Sequence, residues 1–228
     1  MKLETASLQA DEEGPAKNFA FSADLFVLAE PTSARSEVVR GMRTHLLAQH
    51  INEGRRGLAV CSPAADVGSM AIAANLAASF SQVGLSSLLV DADLRAPTLN
   101  QIVKAPTQIP GLSDYLSGGA SLEQVVQHEV LPNLSVIYGG GPRTDAQELL
   151  GSEGFERLGK TWLRDFDITV VNTPPANRYA DARRISAVVG YSVVVARRNV
   201  SYVSDIKHFV SELRGDGVRV VGTILSDE

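Results

Sequence analysis

Two carboxylates one residue apart, Asp91 and Asp93, followed by Arg95, close the apolar run Ser87-Leu88-Leu89-Val90. Carboxylates alternating with Ala92 at a strand end are placed to hold a water or a metal ion and to accept a proton. Arg95 can neutralise them or contact a phosphate. A solvated turn could carry the same residues, so this motif by itself leaves both readings open. A second stretch, Leu58 to Ala77, reads LAVCSPAADVGSMAIAANLA. It has the shape of a phosphate-binding loop: an apolar strand, a small-residue turn and a helix of small and apolar residues. A working loop of this kind ends in Gly-Lys-Ser/Thr, with the lysine on the terminal phosphates and the hydroxyl on Mg²⁺. This one reads Gly68-Ser69-Met70. A third apolar run, Ile168 to Val171, ends in Asn172-Thr173-Pro174-Pro175. Ligands bind at the carboxyl ends of strands in open α/β sheets, so residues 62–70, 91–95 and 172–175 are expected to converge on one crevice.

The elements that must position these residues can be read along the chain. Residues 1–24 are polar and acidic, contain Gly14-Pro15, and read as a flexible arm before a single domain over 25–228. Phe26 to Leu28 is a short apolar patch suited to dock on the body. Pro31-Thr32-Ser33 supplies helix-start chemistry, and from about Ser36 to His50 the spacing of Val39, Met42 and Leu46 predicts a helix. Glu37, Arg40 and Arg43 form a second stripe on it. Helix patterns follow at about Gly68 to Gln82, as short segments over 97–130, and at about 146–164, 181–189 and 202–214. Strand patterns lie near 58–61, 87–91, 134–138, 168–171, 192–196 and 219–225. This alternation predicts an α/β domain of the phosphate-loop type: doubly wound, with a mainly parallel sheet and helices on both faces.

Composition excludes several classes. The chain has 228 residues, a net charge of −5 and 44% hydrophobic residues. An acidic balance argues against a general binder of nucleic acid or of a membrane surface. The single cysteine, Cys61, rules out an internal disulfide framework and reads as a core residue. The four histidines are scattered without metal-ligand spacing, so no metal site is expected. No run of about 18 apolar residues spans a membrane, and the first residues carry no export signal.

Several segments together resemble the cytoplasmic domain of bacterial tyrosine kinases, the P-loop family of capsule and exopolysaccharide systems. They are EVVRGMRTHLL, the loop and its helix ending Asn75-Leu76-Ala77, LLVDADLRAPTLN, PGLSDYLSGGASLEQVV, QELLGS and VVNTPPANRYADA. The resemblance runs from about residue 30 to the end of the chain. Partitioning and cell-division ATPases share the loop but not the EVVRGMR or GLSDYLSG blocks.

The resemblance implies roles for matching positions. The family's loop reads PGEGKST and falls on Ala65 to Ala71. Gly68 matches, the lysine position is Ser69, and the Mg²⁺-hydroxyl position is Met70. The second motif is intact as Asp91, Asp93 and Arg95, with Asp91 matching the base that activates a tyrosine hydroxyl. The third motif normally ends in Asp-Thr-Pro-Pro, and here the carboxylate is the amide Asn172. Losing one such group costs ~10²-fold or more in rate, so ordinary ATP–Mg²⁺ phosphoryl transfer is not expected and no cofactor is expected to be bound. The five tyrosines are dispersed, so the family's C-terminal tyrosine cluster is expected to be missing. Glu37-x-x-Arg40-x-x-Arg43 matches the family's oligomerisation motif, although Glu37 and Arg40 could equally pair within the helix. The expected function is that of a catalytically degenerate, tyrosine-kinase-like protein: a cytoplasmic regulator or scaffold recruited to the inner face of the membrane by a separate, membrane-embedded polysaccharide co-polymerase. A homo-oligomeric ring is a possible assembly; neither nucleic acid nor direct membrane insertion is expected. The alternative is an active tyrosine autokinase or ATPase that uses ATP and Mg²⁺ through an unusual loop.

Overall fold

The computed structural model describes residues 19–51 and 54–227. In chain order its elements are β1 (Ala20–Phe21), α1 (Phe26–Ala29), α2 (Ala34–Gln49), β2 (Gly57–Cys61), α3 (Ser69–Ser81), β3 (Ser87–Asp91), α4 (Leu99–Ile102), β4 (Val103–Lys104), α5 (Leu112–Leu116), α6 (Leu122–Val125), β5 (Val126–Leu131) and β6 (Leu134–Ile137). They continue with α7 (Ala146–Gly151), α8 (Glu153–Asp165), β7 (Ile168–Asn172), α9 (Asp181–Val189), β8 (Tyr191–Arg197), α10 (Val203–Gly215) and β9 (Arg219–Ser226).

Seven strands form one sheet in the order β5-β6-β3-β7-β2-β8-β9, parallel except for the antiparallel pair β5–β6. Residues of β2, β3 and β7 are buried throughout, as expected of strands covered on both faces. Strand alternation divides their side chains between two cores. Leu58, Val60, Leu89 and Val170 join the core that includes α1, α2 and α3 residues. Ala59, Cys61, Leu88, Val90 and Val171 join the core that includes α7, α8, α9 and α10 residues. Cys61 is fully buried, and burial pushes its thiol pKa up.

Helix α3 carries the phosphate-loop pattern and is almost entirely buried, from Ala73 to Ser81. Its small residues suit a helix packed between the sheet and other helices. Asn75 is its buried amide. Its Oδ1 accepts from Val27 N–H at 2.9 Å, and its Nδ2 donates to the carbonyls of Asp24 at 2.6 Å and Ala71 at 2.8 Å. One buried amide therefore ties the segment before α2 to the central helix. Ser33 caps α2 by accepting from Ser36 N–H at 3.3 Å.

Three departures from the sequence expectations have physical causes. Of the arm expected over 1–24, residues 1–18 lie outside the described residues, and 19–24 are part of the body. There Ala20 and Phe21 pair with Lys104 and Val103, and Ser22 N–H donates to Ile102 at 2.9 Å. The helix expected over 146–164 is broken at Ser152. Its extended backbone (ψ 154) ends α7, and its hydroxyl caps α8 by accepting from Phe155 N–H. The helical region expected over 97–130 also contains β4 and β5. The Gln127–Val130 segment has mixed burial, and its register slips between Gln127 and Leu131, which hides the strand period.

Replacing Asn75 by Ala would leave Val27 N–H and the Asp24 carbonyl without their amide partner. Asn75→Ala is expected to lower stability by about 3 kcal/mol. Urea unfolding checks this: the midpoint falls with an unchanged slope. An unchanged midpoint would contradict the anchoring role.

Candidate functional site

The ends of β2, β3 and β7 meet at one crevice. Thr173 N–H donates to Val60 at 3.2 Å, Ala176 N–H to Ser62 at 2.9 Å, and Ala92 N–H to Asn172 at 3.0 Å. These bonds lay residues 172–177 alongside both the loop after β2 and the motif after β3.

Asp91 is fully buried and its carboxylate is surrounded by donors. Oδ2 accepts from the N–H groups of Thr98 at 2.8 Å and Leu99 at 3.0 Å, at the start of α4. Oδ1 accepts from Asp93 N–H at 3.2 Å and from Asn172 Nδ2 at 3.3 Å. Burial nevertheless dominates and pushes the Asp91 pKa up to about 6, against the lowering effect of these hydrogen bonds. Asn172 Oδ1 is buried without a hydrogen-bond partner among the described residues.

Asp93 serves its own turn. Its Oδ1 accepts from Arg95 N–H at 3.1 Å and Ala96 N–H at 3.0 Å, and burial raises its pKa. Arg95 does not form a salt bridge with either motif aspartate. Its Nε donates to Asp181 Oδ2 at 2.7 Å, and its guanidinium carbon stands 4.1 Å from the Tyr179 ring centroid. Sequence reading missed both partners. Asp181 is separated from Arg95 by 86 residues, and the available signal was an acid opening the helix after the third motif.

The loop after β2 keeps an unusual backbone. Asp66 has φ 59 and Gly68 has φ 77, so two of three successive residues are left-handed. Gly68 tolerates this conformation readily, while Asp66 does so as one of the few side chains found there. Val67 between them is buried at 1% exposure. Arg197, at the end of β8, donates from Nη1 to the Asp66 carbonyl at 3.0 Å. Ser69 opens α3, and Met70, 7% exposed, belongs to the apolar core beside α3.

On the β6 side of Asp91 lies a cavity of about 1050 Å³, lined by Pro97, Asn100, Lys104, Tyr138 and the glycines 139–141 among others. Its wall depends on close backbone packing: a Cβ on Gly111 would stand 2.2 Å from Gly140 N. The sequence reading did not anticipate Lys104 here.

The stripe on α2 does not present one uniform surface. Glu37 pairs with Arg40, and Arg40 also donates to the Pro31 carbonyl. Arg43 instead turns to α3 and donates to the Ser79 carbonyl at 3.0 Å. Burial, then the neighbouring Arg40, lowers its pKa.

The Asp91 site yields a pH prediction. Its folded pKa, about 6, lies above the ordinary aspartate value of 3.8. The folded state therefore favours the protonated form. The associated stability is full below about pH 4 and is lost as pH rises through about 6. Asn172→Asp would put a second carboxylate beside Asp91 and raise the proton affinity of the pair. Thermal unfolding of this variant at pH 7.5 is expected several degrees below the parent, with the gap closing by pH 5. A gap independent of pH would contradict the assignment.

No family model matches the chain. Tyrosine-protein kinase Ptk of Acinetobacter johnsonii is 34% identical over 84% of this chain, which spans 26% of that protein. CapB of Staphylococcus aureus is 27% identical over 92% of each chain. The crystal structure of the chimerical protein CapA2B2 superposes with a TM-score of 0.83 at 28% identity, covering 91% of both chains. These likenesses extend over both sides of the sheet and all three motif-bearing strand ends, and by sequence and fold together the chain belongs to the bacterial tyrosine-kinase family.

Proposed function

We propose that this chain is a catalytically degenerate member of that family. In this reading it acts in the cytoplasm as a regulator or scaffold for a separate membrane-embedded co-polymerase of capsule or exopolysaccharide assembly. The observation that carries the reading is the hydrogen bond from Asn172 Nδ2 to Asp91 Oδ1. It joins the second and third motifs through a neutral amide, where the family has a carboxylate. Asp91 meanwhile accepts the two N–H groups that start α4. Its carboxylate is engaged in holding a turn.

The residues present do not fit a magnesium nucleotide. Met70 offers a thioether where a hard cation needs oxygen, and it lies in the core. Ser69 supplies no positive charge at the lysine position, and exposed Asp66 adds a negative charge to the loop. Absence of one electrostatic contributor costs ~10²-fold or more in rate, and here the changes coincide. The polysaccharide setting and the membrane partner rest on the family resemblance. Among the described residues, no helix is long and apolar enough to cross a membrane. Oligomerisation through Glu37, Arg40 and Arg43 is part of the proposal. Glu37 and Arg40 remain accessible for exchange with another copy, their side chains being 66% and 26% exposed.

The second reading is an active tyrosine autokinase. The name of Ptk favours it. So does Asp91, whose pKa near 6 lets it accept a proton at neutral pH.

Calorimetric titration of the chain with ATP and Mg²⁺, paired with phosphotyrosine detection, separates the readings. The degenerate reading expects no saturable binding in the micromolar range and no phosphotyrosine. Micromolar affinity with phosphotyrosine formation would sink it.

A further inference from the structure

A second cleft lies at the other end of the sheet. Ser86, Asn133 and Phe166 line it, and they precede β3, β6 and β7. It therefore sits at the amino ends of these strands, whereas the crevice sits at their carboxyl ends. Its volume is about 460 Å³, within the range of small-ligand pockets.

The deeper lining is apolar. Val126 and Trp162 are buried there, and Leu122 and Phe166 are half-buried. Trp162 is 2% exposed and stands edge-on to Phe155, with 6.0 Å between ring centroids. Its Nε1 is buried without a hydrogen-bond partner among the described residues. A buried donor left unpaired is costly, so this indole lacks an acceptor.

The outer lining is acidic. Glu123 comes from the first turn of α6, and Glu129 from the slip of β5, where its backbone is left-handed at φ 52. Both are exposed, and among the described residues neither forms a salt bridge. The third carboxylate, Asp165, is held by Arg164 at 2.6 Å. The lining itself contains no lysine or arginine.

We propose that this cleft receives a lysine or arginine residue of a partner polypeptide. One such residue meets all three features. Its carbonyl can accept from the indole N–H. Its aliphatic stem covers apolar surface while its cation stays at the wet rim, beside Glu123 and Glu129. A neutral sugar would leave the two carboxylates without a countercharge, and a free polyamine has no acceptor for the indole. The site is separate from the crevice and from the α2 stripe, and it stands whether or not the crevice binds nucleotide.

Calorimetric titration of the full chain with a blocked peptide of alternating arginine and alanine tests the assignment, at ~50 mM salt so that exposed charges are weakly screened. Trp162 is the sole tryptophan, so its emission locates the peptide. Saturable binding at ~10–100 µM, as suits one small pocket, is expected together with a change in that emission. Glu123→Gln with Glu129→Gln is expected to weaken binding ~10-fold through the loss of two exposed charge pairs. Thr161→Arg brings a cation of the chain's own into the lining and is expected to abolish binding. Glu148→Gln with Asp205→Asn changes the net charge equally at exposed positions outside the cleft and is expected to leave the affinity unchanged. Circular dichroism melting verifies that each variant is folded. A peptide with glutamate in place of arginine is expected not to bind, and spermine to bind more weakly than the arginine peptide. Absence of binding would overturn the assignment, as would binding without a change in Trp162 emission. So would binding that survives the folded cleft variants, or spermine binding as tightly as the peptide.

Discussion

The enclosed carboxylate of Asp91 is the constraint on which the crevice depends. It sits at the end of β3 with no exposure to solvent, and its oxygens accept from Thr98, Leu99, Asp93 and Asn172. Those bonds fix where the chain turns after β3, where α4 begins and how β3 and β7 finish side by side. A buried charge is tolerated only when such donors compensate it, and here they do so incompletely, since burial still dominates its pKa. The amide of Asn172 is part of the compensation. A carboxylate at that position would add repulsion at the same place unless a cation or a shared proton intervened.

In the proposed reading, the loop before α3 separates shape from chemistry. Its residues at 66 and 68 are left-handed, and its helix lies deep against the sheet. Its side chains serve other ends. Val67 and Met70 enter the core, and Arg197 reaches the Asp66 carbonyl from the end of β8. Fold and reactivity can part in this way because core packing rewards apolar volume, whereas phosphoryl chemistry needs charge at fixed points.

Much of the architecture was legible in the sequence because buried parallel strands leave continuous apolar runs. Leu88 to Val90 and Ile168 to Val171 read as strands, and the polar residues that follow them mark the crevice. Less legible were features set by tertiary contacts. β4 and β5 follow helical turns directly, and β5 carries a slip that erases its alternation. The break at Ser152 had a local signal, a capping serine before two glutamates in the next turn, but the apolar spacing on both sides masked it. At the site, the sequence placed Asp91, Asp93 and Asn172 at neighbouring strand ends. It could not foresee that Arg95 would turn to Asp181 and Tyr179, since that choice depends on a helix 86 residues away. The stripe on α2 likewise divides in space: Glu37 and Arg40 pair with each other while Arg43 binds the end of α3.

We propose that the crevice is held together by its own hydrogen bonds and that its residues do not fit a magnesium nucleotide. Nitrogen–proton NMR tests it most directly, because Gly68, Ser69 and the side-chain amide of Asn172 report on the loop and on the Asp91 contact separately. Addition of ATP with Mg²⁺ to millimolar concentration is expected to leave these signals in place. Saturable shifts of the Gly68 and Ser69 amides together with the Asn172 side chain, at micromolar nucleotide, would contradict the account.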